Sequence, residues 1–361
     1  MDHLYTTFMT EYLALGHMEK VIENEEPRTV CYIPHHGVYK ESSSTTKLRT
    51  VFNASRKTIE NISLNDCLHV GPKLQSDLSQ IIIRWRLHRI GFMADIEKCY
   101  RQILVSRDYA DMQRIIWRGT EGEPAAYRLL TVTYGLNCSP YLAIKVLQTL
   151  ADDEESTYPE ASKVLRESFY VDDCLHGADS VDAALEIQYQ LRQLLQRGGF
   201  VLRKWSSNAV DFMQRLSADD KENTICCNLN LDRTTKALGI YWLCDSDSLT
   251  YKVSLSPLTT QITKRQQLSD IGKIYDPPGL LAPITVTGKA MCQKLWVAGL
   301  NWDDPIPEPL QQEWQRFRKE LGEVERLRIP RWLGVEPNSR GYQLHVFSDA
   351  SAIAYAAVAY L

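Results

Sequence analysis

The chain has 361 residues, 44% of them hydrophobic and 24% charged, with a formal net charge of −4. That is ordinary for a globular protein long enough for two or three domains with real cores, and its overall charge does not advertise nucleic acid. No apolar run approaches ~18 residues, so no membrane-spanning helix is expected. Nine cysteines show no CxxC spacing, and no signal peptide opens the chain. Reduced thiols in an intracellular, unsecreted protein are the expectation, with a cytoplasmic particle or the nucleus as its location.

Residues 1–20 carry Tyr5, Phe8, Tyr12, Leu13 and Leu15 at partly helical spacing, predicting a short amphipathic helix. Residues 23–28 read as a polar linker, 30–39 as a strand interrupted by Pro34, and 41–46 as a Ser/Thr loop. Lys47-Leu48-Arg49 then alternates basic and apolar residues at the start of a strand, which puts Lys47 and Arg49 on one face. Two cations side by side can grip a triphosphate; a charge-blunted sheet edge is the alternative. From residue 40 to 118 there are 14 Lys/Arg against 8 Asp/Glu. That local excess suits a phosphate backbone or a solvated helix face.

Residues 74–89 predict a helix with Leu78, Ile81, Ile82 and Trp85 on one face and Gly91 as its stop. Phe92-Met93-Ala94 is a short apolar strand with Asp95 at its end, and Tyr100 follows five residues on, on the turn beneath. Tyr134-Gly135-Leu136-Asn137 is loop-like. Ser139 as N-cap and Pro140 in the first turn begin a helix whose apolar side is Tyr141, Ile144, Leu147 and Leu150.

Phe169-Tyr170-Val171-Asp172-Asp173-Cys174-Leu175-His176-Gly177 is the centre of the pattern. Strand-formers on both sides predict a β-hairpin with Asp172 and Asp173 at its tip. Adjacent carboxylates on a tight turn repel; a divalent cation is the usual compensation, and oxygen ligands suit Mg²⁺. A solvated surface pair is the alternative, as expected for Asp152-Asp153-Glu154-Glu155. Two-metal phosphoryl chemistry needs shared ligands on ions roughly 3.5–4 Å apart, hence a third carboxylate, and Asp95 fits that place.

A helix over residues 180–197 stops at Gly198-Gly199, a strand over 200–205 carries Arg203 and Lys204, and another covers 237–242. Beyond residue 250 the pattern is mostly helical, broken by the firm turn Asp276-Pro277-Pro278-Gly279. Residues 342–349 and 352–361 read as two final strands.

Taken in order, Val51-Phe52-Asn53-Ala54-Ser55, Asp95 to Ile103, Tyr134-Gly135-Leu136-Asn137-Cys138-Ser139-Pro140, Tyr170-Val171-Asp172-Asp173, Leu202 to Asn208 and Leu238-Gly239-Ile240-Tyr241-Trp242 resemble the motif series of reverse transcriptases. The resemblance is closer to LTR retrotransposons of the Pao/BEL group. It implies an α+β right-hand polymerase: fingers and palm over 1–245, a helical thumb or connection region over 246–340, and the truncated start of a ribonuclease H-like domain over 341–361. By the same resemblance, Asp95, Asp172 and Asp173 hold two Mg²⁺ ions, and Arg49, with Lys47, binds the triphosphate. Tyr100 is a steric gate against the 2′-hydroxyl, and Tyr134-Gly135 lies against the incoming nucleotide. Lys204 protonates pyrophosphate, or is a plain phosphate-facing or surface lysine. The implied partners are dNTPs and a primer on an RNA or DNA template.

Residues 264–302, with Tyr275-Asp276-Pro277-Pro278-Gly279-Leu280-Leu281, also resemble this group. No Asp-Thr-Gly or Asp-Ser-Gly occurs there, so no peptidase activity is expected. His345-Val346-Phe347-Ser348-Asp349-Ala350-Ser351 resembles the first strand of a ribonuclease H domain, with Asp349 as its first metal carboxylate. The chain is expected to be a fragment of a Pol polyprotein without ribonuclease H activity. A remnant that at most binds nucleic acid is the competing expectation.

Overall fold

The structure, a computed structural model, describes residues 2–22, 29–39, 48–119, 122–221, 226–228, 238–253, 255, 257, 262–336 and 341–361. The chain begins α1 (Asp2–Ala14), β1 (Met18–Lys20), β2 (His35–Tyr39), β3 (Leu48–Phe52), α2 (Leu64–Cys67), α3 (Leu78–Leu87) and β4 (Ile90–Ile96). Next come α4 (Arg107–Ala110), β5 (Arg114–Trp117), β6 (Ala125–Leu129), α5 (Ser139–Asp153), α6 (Pro159–Glu167), β7 (Phe169–Tyr170), β8 (Asp173–Ala178), α7 (Val181–Arg197) and β9 (Leu202–Ser207). The remainder is α8 (Val210–Gln214), β10 (Cys226–Asn228), β11 (Leu238–Leu243), β12 (Ser248–Val253), α9 (Lys264–Gly272), α10 (Ala282–Val297), α11 (Glu308–Leu321), β13 (Ile329–Pro330), β14 (His345–Ala350) and β15 (Tyr355–Tyr360). No helix among the described residues is long and apolar enough to cross a membrane.

Contacts group the chain into two units. The first comprises Met1–Gln75, Ile96–Arg166 and Gln190–Val201. Its three-stranded sheet has the order β1-β6-β5, and β2 pairs antiparallel with β3. Met9 and Tyr12 of α1 enter a core with Phe52, Ile115, Trp117, Tyr127 and Leu129, and Tyr5 and Phe8 pack beside them. The buried stripe is therefore Tyr5, Phe8, Met9 and Tyr12, a helical i, i+3, i+4, i+7 set. Leu13 and Leu15, expected on that face, are exposed: Leu13 falls off the buried stripe, and Leu15 follows the end of the helix at Ala14. Helix α5 begins at Ser139 itself, one residue earlier than expected with Ser139 as its cap. Cys138 already has helical dihedrals, and the buried Ser139 hydroxyl donates to Thr133 O at 2.5 Å instead of capping. The acidic run after α5 is satisfied by Arg166, whose guanidinium lies 2.9 Å from both Asp152 and Glu155.

The second unit comprises Ser76–Asp95, Glu167–Tyr189 and Leu202–Leu361. It holds a four-stranded sheet β7-β8-β4-β9, a second sheet β10-β11-β12-β13 and the separate pair β14-β15. Leu78, Ile81, Ile82 and Trp85 of α3 share one core with Met93 of β4, Leu175 of β8, Trp242 of β11, and Leu295, Trp314 and Phe317 of α10 and α11. On the opposite face of β4, Phe92 stacks on Phe212 at 5.6 Å and packs on Trp205.

A fully buried arginine joins these layers. The Arg331 guanidinium donates to both carboxylate oxygens of Asp247, at 2.6 and 2.8 Å, and to the carbonyls of Trp85, His88 and Arg89 at 2.8–2.9 Å. All five of its N–H groups are used. Its plane lies 5.2 Å from the Trp85 ring and 5.8 Å from Trp242. The carbonyls belong to the last turn of α3 and to the two residues that follow it, His88 and Arg89. Gly91, expected as the stop of α3, is a β4 residue, and the helix ends at Leu87. A Cβ at Gly91 would meet the Arg331 guanidinium at 2.8 Å, so the glycine makes room for that side chain.

Candidate functional site

In the second unit, β4 and β8 run antiparallel with Asp95 directly opposite Asp173 and Met93 opposite Leu175. Opposed residues of an antiparallel pair project to the same face, and alternation puts Asp95 and Asp173 on the face that carries Met93 and Leu175. Two like charges so placed destabilise a sheet unless a cation accompanies them. One is present: Lys204 Nζ of β9 lies 3.4 Å from Asp95 Oδ2.

The hairpin differs from expectation in one respect. Tyr170 pairs with Asp173, so the turn is Val171-Asp172 and only Asp172 stands at the tip; Asp173 is the first residue of β8. Asp172 is nearly buried, 7% exposed. Val171 has φ of +58°, the sign that the primed hairpin turns require at their first central position. That position favours glycine, and a β-branched residue there is strained. Burial, with Asp173 beside it, pushes the Cys174 thiol far up, so it stays protonated beneath the pair.

Five non-glycine residues among those described have positive φ. Asn61 and Asp247 belong to the types that tolerate it; Lys98, Val171 and Lys204 do not. These three fall between Asp95 and Tyr100, between Tyr170 and Asp172, and on the lysine that meets Asp95. Backbone strain of this kind clusters at functional sites.

Among the described residues, no three His, Cys, Asp or Glu side chains converge tightly enough to hold a metal ion. The donor chemistry itself suits a hard cation, since the carboxylates of Asp95 and Asp173 face the same side in register. Asp172 on the tip is not gathered into that set in this conformation.

The remaining candidates belong to the first unit. Arg49 lies on β3 opposite Val38 and is exposed, whereas Leu48, Thr50 and Phe52 alternate inward. Lys47 lies outside the described residues. Tyr100 sits half-buried in a tight 3₁₀ turn, Cys99–Gln102, between the buried Cys99 and Arg101. The Tyr134 ring packs on Phe52 at 5.4 Å, and burial raises its hydroxyl pKa well above the ordinary value. Gly135 has φ of +101°, and a Cβ there would lie 2.3 Å from Phe52 O. The loop therefore lies flush on the end of β3, and no larger residue fits. Asp349 is exposed on β14, opposite Ala356.

Two buried polar side chains in this unit escaped the sequence reading. Arg101 donates from Nε to His17 Nδ1 at 2.9 Å and lies 4.4 Å over the Tyr12 ring. Burial, then the Arg101 charge, pulls the His17 pKa down to about 4, so the imidazole is a neutral acceptor. Asn65 donates to the carbonyl of Gly135 at 2.9 Å. Only the capping pattern Ser63-x-x-Asp66 around Asn65 was visible in the sequence.

Residues 263–361 match the family model described as the Pao retrotransposon-like RNaseH-like domain. A solved structure, "Structure of the foamy viral protease-reverse transcriptase dRH in complex with ds DNA", superposes with a TM-score of 0.57 at 14% sequence identity. The match covers 96% of this chain and 53% of that one, so this chain spans about half the length of its structural relative. At that identity the likeness is one of fold. No curated protein sequence matches significantly. The family match is confined to residues 263–361, and over the rest of the chain the likeness to the solved structure is one of fold.

Proposed function

We propose that this chain is part of a Pao/BEL-type Pol protein and is an RNA-directed DNA polymerase module that adds dNTPs to a primer 3′ end. The observation that carries the reading is the register of Asp95 against Asp173 beside the two-residue turn bearing Asp172, with Lys204 on Asp95. The relative solved with double-stranded DNA supports a nucleic-acid partner. In this reading residues 1–245 are fingers and palm, 246–340 thumb or connection, and 341–361 the start of a ribonuclease H-like domain.

Asp95, Asp172 and Asp173 would hold two Mg²⁺ ions, which when bound acidify the primer hydroxyl and neutralise the triphosphate. Arg49, extended from β3, would pair with phosphate oxygens, and Lys47 would assist. Tyr134 and Gly135 would present a flat surface to the nucleotide, which the absence of a Cβ at Gly135 permits. Tyr100 would exclude a 2′-hydroxyl by ring contact. Lys204, with Nζ 3.4 Å from Asp95 Oδ2, would donate a proton to the leaving pyrophosphate.

Extension of a DNA primer on an RNA template with dNTPs and Mg²⁺ tests this. Product is expected from wild type and none from Asp172→Asn; absence of product from folded wild type sinks the reading. A second reading, a remnant that binds nucleic acid without catalysis, is favoured by the lack, among the described residues, of three His, Cys, Asp or Glu side chains placed to hold a metal ion. It predicts salt-dependent binding of primer–template without incorporation.

A further inference from the structure

Asn65 is buried, 7% exposed, on the short helix α2. Its side-chain amide makes three hydrogen bonds to two other segments. Nδ2 donates to Ser55 Oγ at 2.8 Å and to Gly135 O at 2.9 Å, and Oδ1 accepts from Asn137 N at 2.9 Å. Asn137 answers with its own amide, donating from Nδ2 to Asn65 O at 3.0 Å. The backbone of Asn65 adds a donor bond to Ala54 O at 3.0 Å. One planar group thus ties the segment leaving β3 to both ends of Gly135-Leu136-Asn137.

The chemistry is specific to an amide. Two donors and an acceptor must lie in one plane on a stem of one methylene. Aspartate has the shape but not the donors, and leucine has neither. Helix α2 holds the amide in place through its own capping box, in which Ser63 and Asp66 bond reciprocally and Lys57 joins Asp66. The glycine supports the same arrangement from the other side, since its missing Cβ lets the loop rest on Phe52 O.

We infer that Asn65 is a positioning residue for nucleotide selection: it fixes the Tyr134-Gly135 loop against the strand that carries Arg49. The inference rests on the polymerase reading and adds to it a residue outside the motif series. Asn65 touches no reacting atom; it acts through the carbonyl of Gly135 and the amide of Asn137.

Two measurements on the full chain test it. In steady-state primer extension, Asn65→Ala and Asn65→Asp should raise the KM for dNTP about tenfold, the scale of one or two buried hydrogen bonds. Primer–template affinity should stay within about twofold, and kcat should change less than KM. By hydrogen exchange, the Asn137 amide should lose about tenfold in protection in Asn65→Ala, while amides of β5 and β6 keep theirs. An unchanged dNTP KM in a folded variant overturns the inference, as does unchanged exchange at Asn137. Wild type that incorporates no nucleotide sinks the polymerase reading and with it the role in selection; the exchange arm still decides whether Asn65 holds the loop.

Discussion

Arg331→Met would keep an unbranched apolar stem between Trp85 and Trp242 while deleting every guanidinium donor. Asp247 would lose its bidentate partner and keep only the Trp242 indole at 2.9 Å and the Asn208 amide at 3.1 Å. The carbonyls of Trp85, His88 and Arg89 would each lose a donor. Removing one side of a buried ion pair costs about 3–5 kcal/mol. The lost guanidinium bonds push toward the upper end, at ~1 kcal/mol each, although the Trp85 carbonyl keeps the His88 N–H and the Arg89 carbonyl keeps the Asn208 amide. The retained partners of Asp247, and its 24% exposed side chain, pull toward the lower. The expected loss is about 3 kcal/mol, read in urea by the fluorescence of the flanking tryptophans. Arg331 falls within the 263–361 match, yet it bonds to α3 and to His88 and Arg89, just before β4. Exchange at Phe92, Met93 and Ala94 should therefore quicken in the variant. A loss below about 1 kcal/mol, or exchange confined to residues after 263, would refute the reasoning.

Other outcomes follow from the same contacts. Gly135→Ala must relieve a 2.3 Å approach to a backbone oxygen at positive φ. It should cost about 1–3 kcal/mol of stability and raise the dNTP KM, measured by urea melts and extension kinetics. Tyr100→Ala should relax discrimination against ribonucleotides, read as the ratio of kcat/KM for dNTP over rNTP; an unchanged ratio removes Tyr100 as the gate. His17 titrates near 4 when folded, below its ordinary 6.5. Between those values the unfolded chain binds the extra proton, so stability is full above pH 6.5 and falls as pH drops toward 4. His17→Gln should flatten that slope in urea midpoints taken across the range.

The strand leading to Asp95 and the hairpin around Asp172-Asp173 were legible in the sequence because they are local signals: an apolar run, and a β-prone run interrupted by two carboxylates. The register was not, since it depends on two strands whose paired residues lie 78 to 88 apart in number meeting in step. The same holds for Asp173, which periodicity placed at the tip and pairing with Tyr170 draws into β8. Arg331 sits in Ile-Pro-Arg-Trp with nothing to mark it as buried, because arginines are exposed unless paired and its partners are remote. Asn65 is equally silent, its meaning set by a loop 70 residues away. Ser139 carried a sound capping signal that lost to a stronger local one, the open carbonyl of Thr133.

Single-turnover addition of one templated dNTP, by wild type and Asp95→Asn on the same DNA primer and RNA template with Mg²⁺, tests the central claim most directly. The carboxylate assignment predicts incorporation by wild type and a loss of roughly 10³-fold in Asp95→Asn, with primer–template affinity unchanged. Equal rates in the two proteins, or no incorporation by folded wild type that still binds the substrate, would contradict it.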